Sequence, residues 1–580
     1  TEDAVSECIA RVRTADAWAL VDAVGGRDLA RALRLLADVY DPRDPSYSYA
    51  FLISDQRASA SGKPLVVAGL DFSYYGVGLR IQSTDNVTVR GSSFSLNRYA
   101  GVTVDVLQSL TTPELPDYAD KLRFLDNSLI LNGTYGGSFN GVTNSVFQGN
   151  YWAYNNFLDF LDDSIDGNGT GEAHHAQGAL KITYSKGVKF YGNLLEKNYG
   201  SGIWFDHWSY NLDIVGNTIR DNNLNLDVPP DQFRSDRGFG VILEFTTNVN
   251  LAFNVIANNG GAGINISDSS DVRVLNNTLV DNGVFYKRDA ALPLNRQTGS
   301  GGLNLWIKDF GYGIPKTGYD DRVTRIPQPG GQGFITPRYH AAELWAAAKD
   351  GVYGVTAGMV VRGNVFHQKT NDSALQINAY DVYNDTPVNG EPRQPQDFPV
   401  SRSNDRSVLK INQTQSVDFF RQITLRPDLT PNDLTLPEPV YGATGAIAPL
   451  NNNLYFGGRT VNGTGPIKWR HSYNKPSFSP ATSQYLTLTQ LRALDADDYG
   501  SQSGLQRYTL RLEQLGHEFL TDPLKNVASN DYRPTGASAT MRPLDLQFDD
   551  LARVSHEAGV SGLTARSRGV SYFGAVEPAQ

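Results

Sequence analysis

The chain has 580 residues, with 61 Asp+Glu against 51 Lys+Arg and a net charge of -10. That balance and a pI near 5.4 exclude a nucleic-acid binder built on basic clusters. No apolar run reaches the ~18 residues of a membrane span, and the single Cys8 can form no intrachain disulfide. What composition leaves to be explained is a surplus of 56 Gly and 43 Asn.

Residues 1–45 are expected to form an N-terminal helical cap. Apolar residues recur at helical spacing (Val5, Ile9, Val12, then Leu29, Leu33, Leu36) and break at Gly25 and Gly26. A partner-docking helix is the other reading of this segment. From residue 46 to 310 a short phrase repeats: RGSSF, LDNSL, QGNYW, YGNLL, VGNTI, AFNVI, LNNTL, and later RGNVF. Its third residues are Ser92, Asn127, Asn150, Asn193, Asn217, Asn254, Asn277 and Asn364. Their spacings are 35, 23, 43, 24, 37, 23 and 87, a period of 23–24 with insertions in the longer gaps. Five residues beyond each of the first seven stands Asn97, Asn132, Asn155, Asn198, Asn222, Asn259 or Asn282; at the eighth stands Lys369.

After the second Asn comes a short alternating segment, as in Gly202-Ile-Trp-Phe-Asp206, Gly240-Val-Ile-Leu-Glu244 and Gly263-Ile-Asn-Ile-Ser267. Alternation of this kind predicts a half-buried strand. Two or three such strands per 23–24 residues predict one coil of a parallel β-helix, with equivalent positions stacked about 4.8 Å apart. Stacked Asn at the turns would tolerate the left-handed region and bond one another, which makes the Asn ladder structural. Residues 311–357 are expected to form an insertion with a Pro/Gly-rich loop and a short helix. Residues 358–480 supply the last coils with further long insertions, and 481–580 form a closing segment. The chain begins with Thr, compatible with a processed exported protein or with a cut boundary.

The phrases resemble the repeats of the right-handed parallel β-helix (pectate-lyase-like) superfamily, over 64–310 and 358–380. Asn451-Asn-Asn-Leu-Tyr455, Leu486 to Gln490, Asp522-Pro523, Asp531-Tyr-Arg533 and Tyr572-Phe-Gly574 are similar to the closing segments of its bacterial secreted members. The resemblance implies an all-β, right-handed solenoid, secreted or at the cell surface. It does not choose an activity, because the superfamily holds lyases, hydrolases, epimerases, tailspikes and adhesins.

Chemistry must be read from the outward rows. If Leu180, Ile182, Ile203, Phe205, Val241 and Leu243 point inward, one outward row is Lys181, Trp204, Ile242, Asn265 and Asn304. The other is Thr183, Asp206, Glu244, Ser267 and Trp306. Asp206 and Glu244 become neighbours on adjacent coils, the carboxylate pair that glycoside hydrolysis needs. Lys181, His174, His175 and His207 are expected to orient substrate. Trp204, Trp208 and Trp306 would stack on sugar rings, with Trp204 packed under an insertion as its other reading, and Arg234 and Arg237, on the insertion 223–238, would contact substrate or form local salt bridges. The first reading is therefore a polysaccharide-degrading glycoside hydrolase. The second is a lyase or uronate epimerase with Lys181 or a His as base. The third is a non-catalytic surface or tail-fibre protein. No EF-hand-like loop or His-x-x-x-His spacing predicts a metal, although Asp206 and Glu244 are hard ligands that suit Ca²⁺. The expected partner is a polysaccharide; oligomeric state is left open.

Overall fold

The computed structural model describes residues 50–54, 64–82, 84–105, 119–156, 178–206, 209–222, 238–244, 246–267, 269–283, 300–307, 359–368, 373–379, 450–457, 465–471, 483–492, 513, 515–536, 538 and 574–575. The expected cap at 1–45, the insertion at 311–357 and the stretch 380–449 lie outside the described residues.

Each coil contributes three strands, for example Gly178–Thr183, Lys189–Tyr191 and Leu194–Glu196. Among the described residues these stack into three sheets of twelve, ten and eleven strands, called I, II and III here in the order that each coil visits them. Successive coils pair in parallel, with Leu180 on Ile203, Phe190 on Ile214 and Leu195 on Ile219. The inward residues of all three sheets form one continuous core. Sheet I supplies Ile203, Phe205, Val241 and Leu243, sheet II supplies Phe190, Ile214 and Leu251, and sheet III supplies Trp152, Leu195 and Ile219, all fully buried. Each such side chain contributes roughly 1.5–3 kcal/mol by leaving water.

The turns are held by two amide ladders. In the first, Asn217 accepts at Oδ1 from Asn193 N (2.9 Å) and Asn193 Nδ2 (3.0 Å). It donates through Nδ2 to Asn254 Oδ1 (2.9 Å) and to the Phe190 carbonyl (3.0 Å). The same pattern runs from Asn127 to Asn364 and on to Asn453, with Ser92 ahead of it donating to Asn127 Oδ1 through its backbone N, so that Asn453 is a ninth rung. The second ladder runs from Asn97 to Asn282. At the eighth phrase Gln368 closes it, donating from Nε2 to the Asn282 carbonyl (2.8 Å). These amides are buried, and every rung satisfies a turn backbone group that water cannot reach.

The Gly surplus follows from the same turns. The residue before each rung has a left-handed backbone, as at Gly216 (φ 68°), and non-Gly residues such as Phe253 (56°) and Asn276 (51°) bear it at a cost. Gly240, just before the strand Val241–Glu244, lies against the following coil. A Cβ there would stand 2.5 Å from the Gly263 carbonyl oxygen and 2.6 Å from Ile256 Cγ2.

The far end of the core is closed by local signals. Ser483–Leu486 pairs antiparallel with Ile467–His471, ending the parallel stack of sheet I. The helix Leu488–Arg492 follows, with Thr487 and Gln490 forming a reciprocal capping box and Leu488 and Leu491 plugging the core. His517–Phe519 adds to sheet III, and Leu524 and Tyr532 cover its outer face over Ala257, Val280, Val365 and Leu454. His367, buried in that sheet, reaches Asp522 Oδ1 at 3.0 Å and ties this segment down. The first ladder itself ends on Glu513, which takes hydrogen bonds from Asn453 Nδ2 and from the Tyr455 hydroxyl (2.7 Å).

Two predictions follow from the ladders. Asn217→Ala strands its four hydrogen-bonding partners and lowers unfolding free energy by about 2–4 kcal/mol in urea titrations. Burial pushes the fully buried Glu513 carboxyl up to about 7, against the opposing pull of its bonds from Asn453 and Tyr455. The folded state therefore holds this proton more tightly than the unfolded chain. Stability is fully present below the ordinary value of 4.5 and declines as pH rises to about 7. The loss is on the order of 3 kcal/mol. Glu513→Gln removes this pH dependence, read as the slope of the unfolding midpoint between these pH values.

Candidate functional site

The register of sheet I fixes what its outer face presents. Ser138, Lys181, Trp204, Ile242, Asn265, Asn304 and Gln376 are successive pairing partners along one row. In the next row Asn140 pairs with Thr183 and Thr183 with Asp206, while Glu244 pairs with Ser267 and Ser267 with Trp306. Phe205 pairs with Leu243, and Asp206 and Glu244 are the next residue on each strand. They are the last residues of their strands, Ser201–Asp206 and Val241–Glu244. The outward rows expected from alternation are those observed.

The strand end at Asp206 is anchored by a hydroxyl ladder. Ser209 Oγ donates to the Asp206 carbonyl (2.8 Å) and accepts from Ser185 N (3.2 Å). Ser145, Ser185, Ser209 and Ser269 recur at this turn, the last accepting from Thr246 N. Serine is common at turns of any kind, so this third ladder carries no distinct signal in the sequence.

Three of the expected site residues meet here, with Glu244 one coil on. Lys181 Nζ stands 2.8 Å from Asp206 Oδ2 and 3.7 Å from the centroid of the Trp204 ring. The Lys181 side chain is 17% exposed and that of Asp206 2%. Glu244 is half-buried. Of the two readings of Trp204, the packed one fits: it is only 6% exposed and packs with Phe239, Ile242 and Ala262. A ring with one face under an ammonium and an edge in an apolar cluster does not offer the open face that sugar stacking requires. Sequence reasoning missed Phe239 and Ala262, which precede the alternating strands and carry no periodic signal. On sheet I, Thr183 Oγ1 donates to Asn140 Oδ1 (3.3 Å), extending the polar row beyond Asp206.

Trp306 holds the expected register position, between Ser267 and Asn378. His174, His175, His207, Trp208, Arg234 and Arg237 lie outside the described residues. Among the described residues, no group of three or more His, Cys, Asp or Glu is arranged to hold a metal ion.

Residues 117–279 match the family model described as the right handed beta helix region. The fold is likewise similar to three solved structures. Pectate lyase Pel9A aligns at 15% identity and TM-score 0.26, covering 41% of this chain and 59% of that one. XylC in complex with xylose aligns at 10% identity and TM-score 0.35, covering 74% and 53%. The Azotobacter vinelandii mannuronan C-5 epimerase AlgE6 A-module aligns at 14% identity and TM-score 0.28, covering 57% and 81%. This chain thus spans little more than half the length of the first two. No curated protein matches its sequence. The chain is a right-handed parallel β-helix.

Lys181→Met removes the ammonium from a nearly fully buried carboxylate. It should destabilise the fold by about 3–5 kcal/mol, and Lys181→Met/Asp206→Asn should recover most of that loss, both read from urea unfolding midpoints.

Proposed function

We propose that this chain is a polysaccharide-acting enzyme and that it hydrolyses glycosidic bonds on the outer face of sheet I. One observation carries the reading: Asp206 and Glu244 end neighbouring strands in one outward row, and an ammonium stands on one of them. Glycoside hydrolysis needs two carboxyl groups in different protonation states at one site. Lys181, 2.8 Å from Asp206, favours the ionised carboxylate there. Asp206 is then the base or nucleophile. Glu244, half-buried and one coil on, is the proton donor to the leaving oxygen. A polymer laid across the stacked strands would meet one coil every ~4.8 Å.

The lyase or epimerase reading asks Lys181 to be a neutral base. Its Nζ is already engaged, by Asp206 at 2.8 Å and by the Trp204 ring at 3.7 Å, which favours the hydrolase reading. A secreted or cell-surface location follows from the substrate, since structural polysaccharides lie outside the membrane.

A polysaccharide panel with product analysis tests the proposal. New reducing ends without unsaturated, ultraviolet-absorbing ends are expected. Asp206→Asn and Glu244→Gln should each lower kcat by about 10²–10⁴-fold, and a chelator should leave the rate unchanged. Full activity in both variants, or unsaturated products from the wild type, overturns it. No turnover on any glycan would favour the non-catalytic surface or tail-fibre reading.

A further inference from the structure

We propose that Trp204 is a positioning residue: its indole face holds the Lys181 ammonium against Asp206, and the ring does not contact substrate. The inference rests on the reading of Lys181, Asp206 and Glu244 as the reacting row, and it assigns a part in that row that neither the repeat pattern nor the fold supplies.

The geometry is a three-sided clamp. Lys181 and Trp204 are direct pairing partners on adjacent coils, so their side chains leave the sheet side by side. Thr183 and Asp206 are the partners two residues further along the same strands. A lysine at this place has a choice of rotamers, because four torsions separate its ammonium from the backbone. Two contacts select one of them. The ammonium lies 3.7 Å from the Trp204 centroid and 2.8 Å from Asp206 Oδ2, so it bridges from its own row to the next.

The ring is in turn immobilised. Ile242 is the pairing partner of Trp204 on the following coil, and Phe239 and Ala262 complete the apolar cluster around it. At 6% exposure the indole has no free face for a sugar. Burial also raises the value of the contact, because a cation over a ring gains more where water is excluded. An aliphatic residue here would fill the space but offer no negative face, and Lys181 would be free to leave Asp206 for solvent.

Kinetics and folding test this separately. Trp204→Leu should lower kcat by about tenfold, with KM changed by less than about twofold. Trp204→Phe keeps an aromatic face and should recover most of kcat. A rise in KM at unchanged kcat would instead mark a sugar-stacking ring and overturn the inference. Equal kinetics for Trp204→Leu and wild type, with only a lowered melting temperature, would also overturn it. A cycle of Lys181→Met, Trp204→Leu and the double variant, read in urea unfolding midpoints, needs no substrate. The two losses should be strongly non-additive. Additive losses refute the clamp even if the wild type proves active. Non-additive losses without turnover on any glycan would uphold the clamp and refute the catalytic reading instead.

Discussion

A buried side-chain amide that must be satisfied on both sides is the constraint on which this molecule depends. A turn inside a solenoid carries backbone groups that neither strand pairing nor water reaches. Asn supplies an acceptor and two donors on a side chain short enough to fold back on its own turn. Asn217 illustrates the result, with two incoming and two outgoing contacts between 2.9 and 3.0 Å. A coil shifted by one residue would lose all of these bonds and turn its core side chains to solvent. Long insertions are tolerated because they leave and rejoin between rungs. The 87 residues separating Asn277 from Asn364 do not disturb a 3.0 Å contact.

This constraint sets the geometry of the outer face. Where register is fixed by amides in the turns, outward residues are placed side by side whatever their own chemistry. Like charges, an indole and an ammonium can therefore be held at positions they would not choose. Lys181 and Asp206, in neighbouring rows two residues apart, meet at 2.8 Å because their strands cannot slide. The fold acts as a ruler and the row as the marks on it.

Much of this was legible in the chain. The phase of the Asn rungs gave the coil boundaries. The apolar alternation of Ile203, Phe205, Val241 and Leu243 gave the inward face and so, by exclusion, the row with Asp206 and Glu244. Less local facts were hidden. The burial of Trp204 depends on Phe239 and Ala262, which belong to other coils and lie outside the alternating pattern. The Ser ladder was masked because serine is common at any turn. Glu513 meets Asn453 across 60 residues and has no sequence signal, since an isolated glutamate looks solvated until its neighbours are known. The ninth rung at Asn453 was visible as a resemblance, but its role emerged only from its contacts.

The ladder has a direction. Every amide from Asn127 to Asn453 hands its hydrogen to the following coil, so the side-chain dipoles add head to tail and the stack behaves as a vector rather than a symmetric rod. Its two ends are chemically unlike. One opens with an acceptor, and there the Ser92 hydroxyl takes the Leu70 N–H at 3.2 Å. The other emits hydrogens, and only an oxygen-rich group can receive them, which is the place that Glu513 fills. The two closures could not be exchanged. A lysine at 513 would face the positive pole of eight aligned amides, whereas a carboxyl there completes the circuit.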